Sequence, residues 1–151
     1  MADVNSDTEI IEFAVARELE AYHFFLALAE KVASPHIRAV LHDLANEELE
    51  HKEKLRLELM KMGKVVPDTP KTTIPPHDYV ISDTDEQLNM DYRDVLLLGM
   101  EKEEASFRTY VSLIPRVHDE GSREVLLALA EEEVRHKLRF QTEYDALLKQ
   151  R

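Results

Sequence analysis

Sliding the chain along itself by 85 residues aligns 14–59 with 99–144 without a gap, and this internal repeat restricts the possible fold more than any other feature. Identities at that offset include Glu18/Glu103, Leu28/Leu113, Arg38/Arg123, Val40/Val125 and Leu41/Leu126. They continue with Leu44/Leu129, Ala45/Ala130, Glu47/Glu132, Glu48/Glu133, His51/His136 and Lys52/Lys137. Shared leucines, alanines and lysines arise easily by chance in two similar helices. Matched pairs of metal-ligand type at one common offset do not.

Apolar spacing and end signals divide the chain into four helical stretches. The first is expected over about 8–32, with Ser6, Asp7 and Glu9 supplying cap-type chemistry. Ser34-Pro35 reads as an N-cap followed by a first-turn proline and opens a second helix, 34–62, that stops before Gly63. A third is predicted over 91–114, ahead of Pro115, and a fourth over 119–149 with Asp119 as its cap. Only three glycines and no tryptophan, against 33% charged residues, also suit helices.

The segment 64–90 differs in character, with Pro67, Pro70, Pro75 and Pro76 and almost no helical period. The joints at 32–34 and 115–119 are short enough for antiparallel hairpins. Extended, the long segment would reach ~90 Å, ample to return along a helix of ~40 Å. The expectation is a single all-α domain over 1–151, an antiparallel four-helix bundle with a long crossover between helices 2 and 3.

Each helix carries charge where its core seam should be apolar. The second helix presents Ile37, Leu41, Leu44, Leu55, Leu59 and Met62, and the same spacing lands on Glu48 and His51. In the fourth, Leu126, Leu129, Phe140, Tyr144 and Leu147 flank Glu133 and His136. Glu18 interrupts Ile11, Ala14, Ala21, Phe25 and Leu28 in the first. Glu103 interrupts Val95 or Leu96, Gly99, Ser106, Tyr110 and Leu113 in the third. An ionised carboxylate in a dry core is expensive unless it is paired or bound to a cation, and four together repel one another. Two divalent ions would balance four carboxylates and let both imidazoles ligate in the neutral form. Carboxylate and imidazole donors suit iron or manganese.

All four glutamates fall ~17–21 Å from the starts of their helices, so they meet in one layer whichever way each helix runs. Glu and His at i, i+3 share a face and reach the same ion pair. One Glu from each of two helices, with Glu-x-x-His from each of the other two, is a bundle-core pattern for a pair of metal ions.

Other functions are excluded by composition. A formal charge of −12 and a pI near 5.0 argue against nucleic acid or an anionic membrane as partner, since both call for basic patches. The first ten residues, MADVNSDTEI, lack the basic and apolar regions of a signal peptide. No apolar run approaches the ~20 residues that span a bilayer. A cytoplasmic protein is the expectation. The absence of cysteine excludes a thiol nucleophile, a thiolate zinc site and a thiolate-ligated iron centre.

The stretches RELEAYHFF, ANEELEHKEKL, MEKEEASFRTY and AEEEVRHKL are the basis of a resemblance. Across 8–149 the chain resembles the rubrerythrin-like branch of the ferritin-like di-iron carboxylate proteins. That resemblance implies two iron ions per chain, with manganese or zinc as alternatives. Glu48 and Glu133 would bridge them, Glu18 and Glu103 would be terminal ligands, and His51 and His136 would each cap one ion. It also implies a homodimer and a reaction with hydrogen peroxide or dioxygen, as a peroxidase or ferroxidase. The chain departs from the family pattern twice. It has no cysteine-ligated iron domain, so redox activity requires an external electron donor. Some members carry a further glutamate three residues after the third-helix ligand, where this chain has Ser106.

Blander readings stand beside these. Two other classes use the same residues: iron storage or delivery, and a structural or interaction bundle without redox activity. Tyr110, seven residues after Glu103, is expected on the face of the site, either in one-electron chemistry, as a hydrogen-bond donor to a ligand carboxylate, or as a core tyrosine. Its counterpart Phe25 lacks the hydroxyl, and Tyr22, four residues after Glu18, is a weaker candidate. His23, His36, His42, His77 and His118 read as surface residues. The remaining Glu/Lys residues of 47–54 read as a solvated face. Ile74, Tyr79, Val80 and Ile81 are expected to pack along the bundle or on a dimer mate.

Overall fold

Local capping chemistry sets where the helices begin. In a computed structural model, which describes residues 6–64 and 92–149, the Ser6 hydroxyl accepts the Glu9 N–H at 3.1 Å and opens α1 (Asp7–Ala29). Ser34 does the same for Ile37 at 3.3 Å, with Pro35 in the first turn of α2 (Pro35–Lys61). Gly63, at φ +85°, ends α2. Its N–H donates to the Met60 carbonyl and that of Lys64 to the Leu59 carbonyl, both at 3.0 Å. This paired closure needs a left-handed residue between its two bonds, which glycine adopts without steric penalty. The chain resumes with α3 (Tyr92–Leu113), and Pro115 sits in a tighter turn, Ile114–Arg116. Asp119 then accepts the Ser122 N–H at 2.8 Å at the start of α4 (Glu120–Lys149).

These bounds follow the sequence expectation closely, except that α1 stops three residues before Val32. Its last turn tightens there. The Glu30 N–H bonds the Ala27 carbonyl at 3.2 Å and Lys31 bonds Leu28 at 3.0 Å. Val32 turns into the core instead, and Arg38 holds its carbonyl at 2.8 Å. The predicted crossover 64–90, with Ile74, His77, Tyr79, Val80 and Ile81, lies outside the described residues beyond Lys64.

Contacts between helices fix their directions. Thr8 near the start of α1 meets Met62 beyond the end of α2, so these two are antiparallel. Lys137 of α4 pairs with Glu104 of α3, and Phe140 packs on Gly99. Between the hairpins, Asp7 meets His118 while Glu20 meets Lys102. On the other face, His36 meets Glu143 and Glu58 meets Ser122. Every neighbouring pair is therefore antiparallel, and α2 and α3 run in the same direction. The end of α2 and the start of α3 lie at opposite ends of the molecule. That arrangement is the ferritin-like four-helix bundle with one crossover.

The core has two apolar layers. One gathers Phe25, Leu28, Ile37, Leu41, Leu44, Leu96 and Phe140. The other gathers Ile10, Ile11, Leu55, Leu59, Tyr110, Leu126 and Leu129. Nearly all the seam residues read from the sequence are in these layers; Met62, Tyr144 and Leu147 lie at their edges, partly buried. Among the described residues no helix is long and apolar enough to cross a membrane.

Candidate metal centre

Between the two apolar layers, the bundle buries six ionisable side chains. Glu18, Glu48, Glu103 and Glu133 are at most 2% exposed, and His51 and His136 are each 3% exposed. Each reaches the axis because the helical period that lines up its apolar neighbours carries it to the same side. All six were predicted from sequence, and the fold brings them together.

They divide into two groups. Glu18, Glu48, His51 and Glu133 offer ligand atoms within 4.8 Å of one another, and so do Glu48, Glu103, Glu133 and His136. Glu48 and Glu133 belong to both groups. His51 Nδ1 lies 3.1 Å from Glu48 Oε1 and 3.5 Å from Glu18 Oε2. His136 Nδ1 lies 3.1 Å from Glu103 Oε2 and 3.2 Å from Glu133 Oε1. The two imidazoles stack with centroids 5.5 Å apart and planes 5° from parallel. The halves of the repeat thus become the halves of one pseudo-symmetric site.

Its electrostatics are those of a concentrated negative charge held away from water. Burial, reinforced by the charge of Glu48, pushes the Glu18 carboxyl up to about 8. Burial and the charges of Glu48 and Glu133 lift Glu103 well above the usual carboxylate range. Burial alone would lower the histidines, but hydrogen bonds to Glu18 and Glu48 outweigh it and lift His51 to about 10. Contacts with Glu103, Glu133 and Glu48 raise His136 in the same way. Protons and metal cations are alternative ways of neutralising this cluster.

The donor set fits divalent metal ions. Among the described residues, every buried side-chain nitrogen or oxygen without a hydrogen-bond partner belongs to this cluster: Glu18 Oε1, both oxygens of Glu48 and Glu133, Glu103 Oε1 and His51 Nδ1. Native interiors rarely leave such atoms unsatisfied, and several on one cluster point to an ion as the missing partner.

Tyr110 is 2% exposed, and its hydroxyl donates to Glu18 Oε2. Burial, then the charge of Glu18, raises the phenol well above its ordinary range, so it carries its proton. Phe25 stacks on Phe140 at 5.8 Å. Ser106 is 8% exposed and lines a small cavity with Ala14, Arg17, Glu18, Thr109 and Tyr110. Of the other histidines, His36, His42 and His118 are exposed and His23 is half-buried, all apart from the cluster.

One expectation is corrected. Glu47 does not belong wholly to a solvated face: its Oε1 lies 2.7 Å from His136 Nε2. Glu132, its repeat counterpart, has a carboxylate oxygen within 4.8 Å of ring nitrogens of His51 and His136. The signal was present in the repeat, where both positions hold glutamate directly before a ligand. Helix spacing alone does not tell which neighbouring helix such a residue meets.

A sequence model of the rubrerythrin family matches residues 9–144. No curated protein sequence matches the chain. Among solved structures, a hypothetical protein from Pyrococcus furiosus is 25% identical at a TM-score of 0.68, with 95% of this chain and 91% of that one covered. Two structures of a manganese catalase from Anabaena are 20% identical at TM-scores of 0.68 and 0.69. They cover 97% of this chain and 75% and 77% of theirs. At that identity the likeness is one of fold.

Proposed function

The chain belongs to the rubrerythrin family, and from that premise we propose that it is a di-iron oxidoreductase acting on hydrogen peroxide or dioxygen. The observation that carries the proposal is the pair of overlapping donor groups sharing Glu48 and Glu133. Those two residues would bridge a pair of metal ions. Glu18 and His51 would complete one ion's ligands, and Glu103 and His136 the other's. Two ferrous ions there would supply two electrons to a peroxide or dioxygen molecule. Manganese suits the same oxygen and nitrogen donors.

The protein's own contribution is positional and electrostatic. Four carboxylates on four different helices hold their places because apolar layers on either side lock the helices together. Those layers also keep bulk water from the centre. Tyr110 fixes one oxygen of Glu18 and holds a proton at its Oη beside that carboxylate. A homodimer, expected from the resemblance, forms part of the same proposal. An external electron donor, also expected from the resemblance, belongs to the same proposal.

Anaerobic titration of the apo-protein with Fe(II) tests the reading. Two tight equivalents per chain are expected, and none in the Glu48→Ala/Glu133→Ala variant. The reduced, loaded protein mixed separately with peroxide and dioxygen then identifies the oxidant by its faster oxidation. Absence of tight binding while the helical signal persists would sink the proposal, and uptake far beyond two equivalents would favour storage.

A further inference from the structure

The outer edge of the His136 imidazole meets a carboxylate that is not one of the six enclosed groups. His136 Nε2 lies 2.7 Å from Glu47 Oε1, while Nδ1 of the same ring faces Glu103 and Glu133. A carboxylate only accepts, so this bond keeps hydrogen on Nε2 and leaves Nδ1 as the atom able to ligate. Glu47 is on α2 and His136 on α4, so the bond crosses between helices.

Helical geometry explains the placement. Consecutive residues point ~100° apart around a helix. With Glu48 directed to the bundle axis, the preceding residue is directed towards the neighbouring helix. The same holds one repeat later, where Glu132 precedes Glu133 and approaches His51 from α4. Because α2 and α4 are antiparallel neighbours, Glu47 of α2 meets the histidine of α4 directly, while Glu132 of α4 lies within 4.8 Å of both His51 and His136. The two carboxylates are partly exposed, 39% for Glu47 and 28% for Glu132, whereas the rings are buried. Their role differs from that of the enclosed ligands.

We propose that Glu47 is a positioning residue. It fixes the ring orientation and tautomer of His136 from across the helix boundary, with Glu132 as the weaker counterpart for His51. The difference between the two follows from a competitor, since Glu132 is also ion-paired to Arg135 one turn along its own helix. This inference rests on the dinuclear reading and deepens it, because such partners of a metal-bound histidine set its basicity and direction.

The test uses the full chain loaded with Zn(II), which is diamagnetic, and histidine-resolved 1H–15N NMR. In the unsubstituted protein, His136 should show a metal-bound Nδ1 and a protonated Nε2 whose proton is shifted far downfield by Glu47. In Glu47→Ala that shift should be lost and zinc should bind roughly 10–100-fold more weakly. Glu47→Gln keeps an acceptor oxygen and should fall between the two. Glu132→Ala should perturb His51 by a smaller amount. An unchanged His136 proton and unchanged affinity in Glu47→Ala would overturn the brace. Failure of the unsubstituted chain to bind two zinc ions would overturn the dinuclear reading and the brace with it, and that failure appears in a different protein sample.

Discussion

Tyr110 hydrogen-bonds Glu18 across the α1–α3 interface, and the repeat-related Phe25 has no hydroxyl to offer Glu103. The centre is therefore symmetric in its ligands but not in their support. Tyr110→Phe removes the donor and leaves a buried carboxylate oxygen without its partner. The apo-protein should lose about 1–3 kcal/mol of stability in urea denaturation. Two Fe(II) equivalents should still bind, one of them more weakly than before. A variant that matches the parent in both measurements would reduce Tyr110 to a packing residue.

Gly99 and Phe140 show how tightly α3 and α4 approach. A methyl group added at Gly99 would come within 2.5 Å of Cε1 and Cζ of the Phe140 ring. Gly99→Ala should cost about 1–3 kcal/mol through overpacking. The repeat-related pair is Ala14 with Leu55, a larger residue facing a smaller one. Gly99→Ala/Phe140→Leu should therefore regain part of the loss. Thermal denaturation of the two single variants and the double measures the coupling, and strict additivity would contradict it.

Asp7 ties the start of α1 to the start of α4. Its carboxylate accepts the backbone N–H groups of His118 at 2.9 Å and Asp119 at 2.7 Å. Partial burial pushes this carboxyl up, but the two backbone donors, with His118, outweigh it and hold it below its ordinary value. Asp7→Ala should destabilise the protein by about 1–2 kcal/mol. Because the folded-state value is depressed, the stabilisation exists above the unfolded value of 3.8 and fades as pH falls through the folded one. The difference between parent and variant should shrink in acid, as read from denaturation midpoints at several pH values.

The metal-free protein should respond to alkali through its buried centre. The folded value for Glu18 is raised from 4.5 to about 8, and that for His51 from 6.5 to about 10. A raised group of either kind binds its proton more firmly when folded. Its contribution is complete below the unfolded value and disappears as pH rises through the folded one. Apo-protein stability should therefore decline from about pH 5 to about pH 10, as buried carboxylates are left charged together. Metal ions that neutralise the centre should raise the melting temperature and flatten this decline. A flat profile for the apo-protein in calorimetry would contradict the charge balance inferred for the site.

How much of this was legible before the fold is clearest residue by residue. Ser6, Ser34, Pro35 and Gly63 act on bonds within five residues of themselves, so the chain announces them locally. The six residues of the centre were legible for a related reason. A 3.6-residue period turns sequence spacing into a face, and the 85-residue repeat marks which charged residues on that face belong together. The position of the crossover followed from two short joints and one long one, since only a long segment can connect parallel helices along their length.

What the sequence determined by itself was therefore which side of each helix faces the axis, where each helix begins, and which six side chains share the buried layer. The tertiary structure alone decided which atoms meet across helices. Tyr110 reaches Glu18 over 92 residues of chain, Glu47 reaches His136 over 89, and Asp7 reaches Asp119 over 112. Spacing along one helix fixes a direction but not the identity or distance of what lies opposite. Those depend on the stagger and separation of whole helices, set by packing such as that of Phe140 against Gly99.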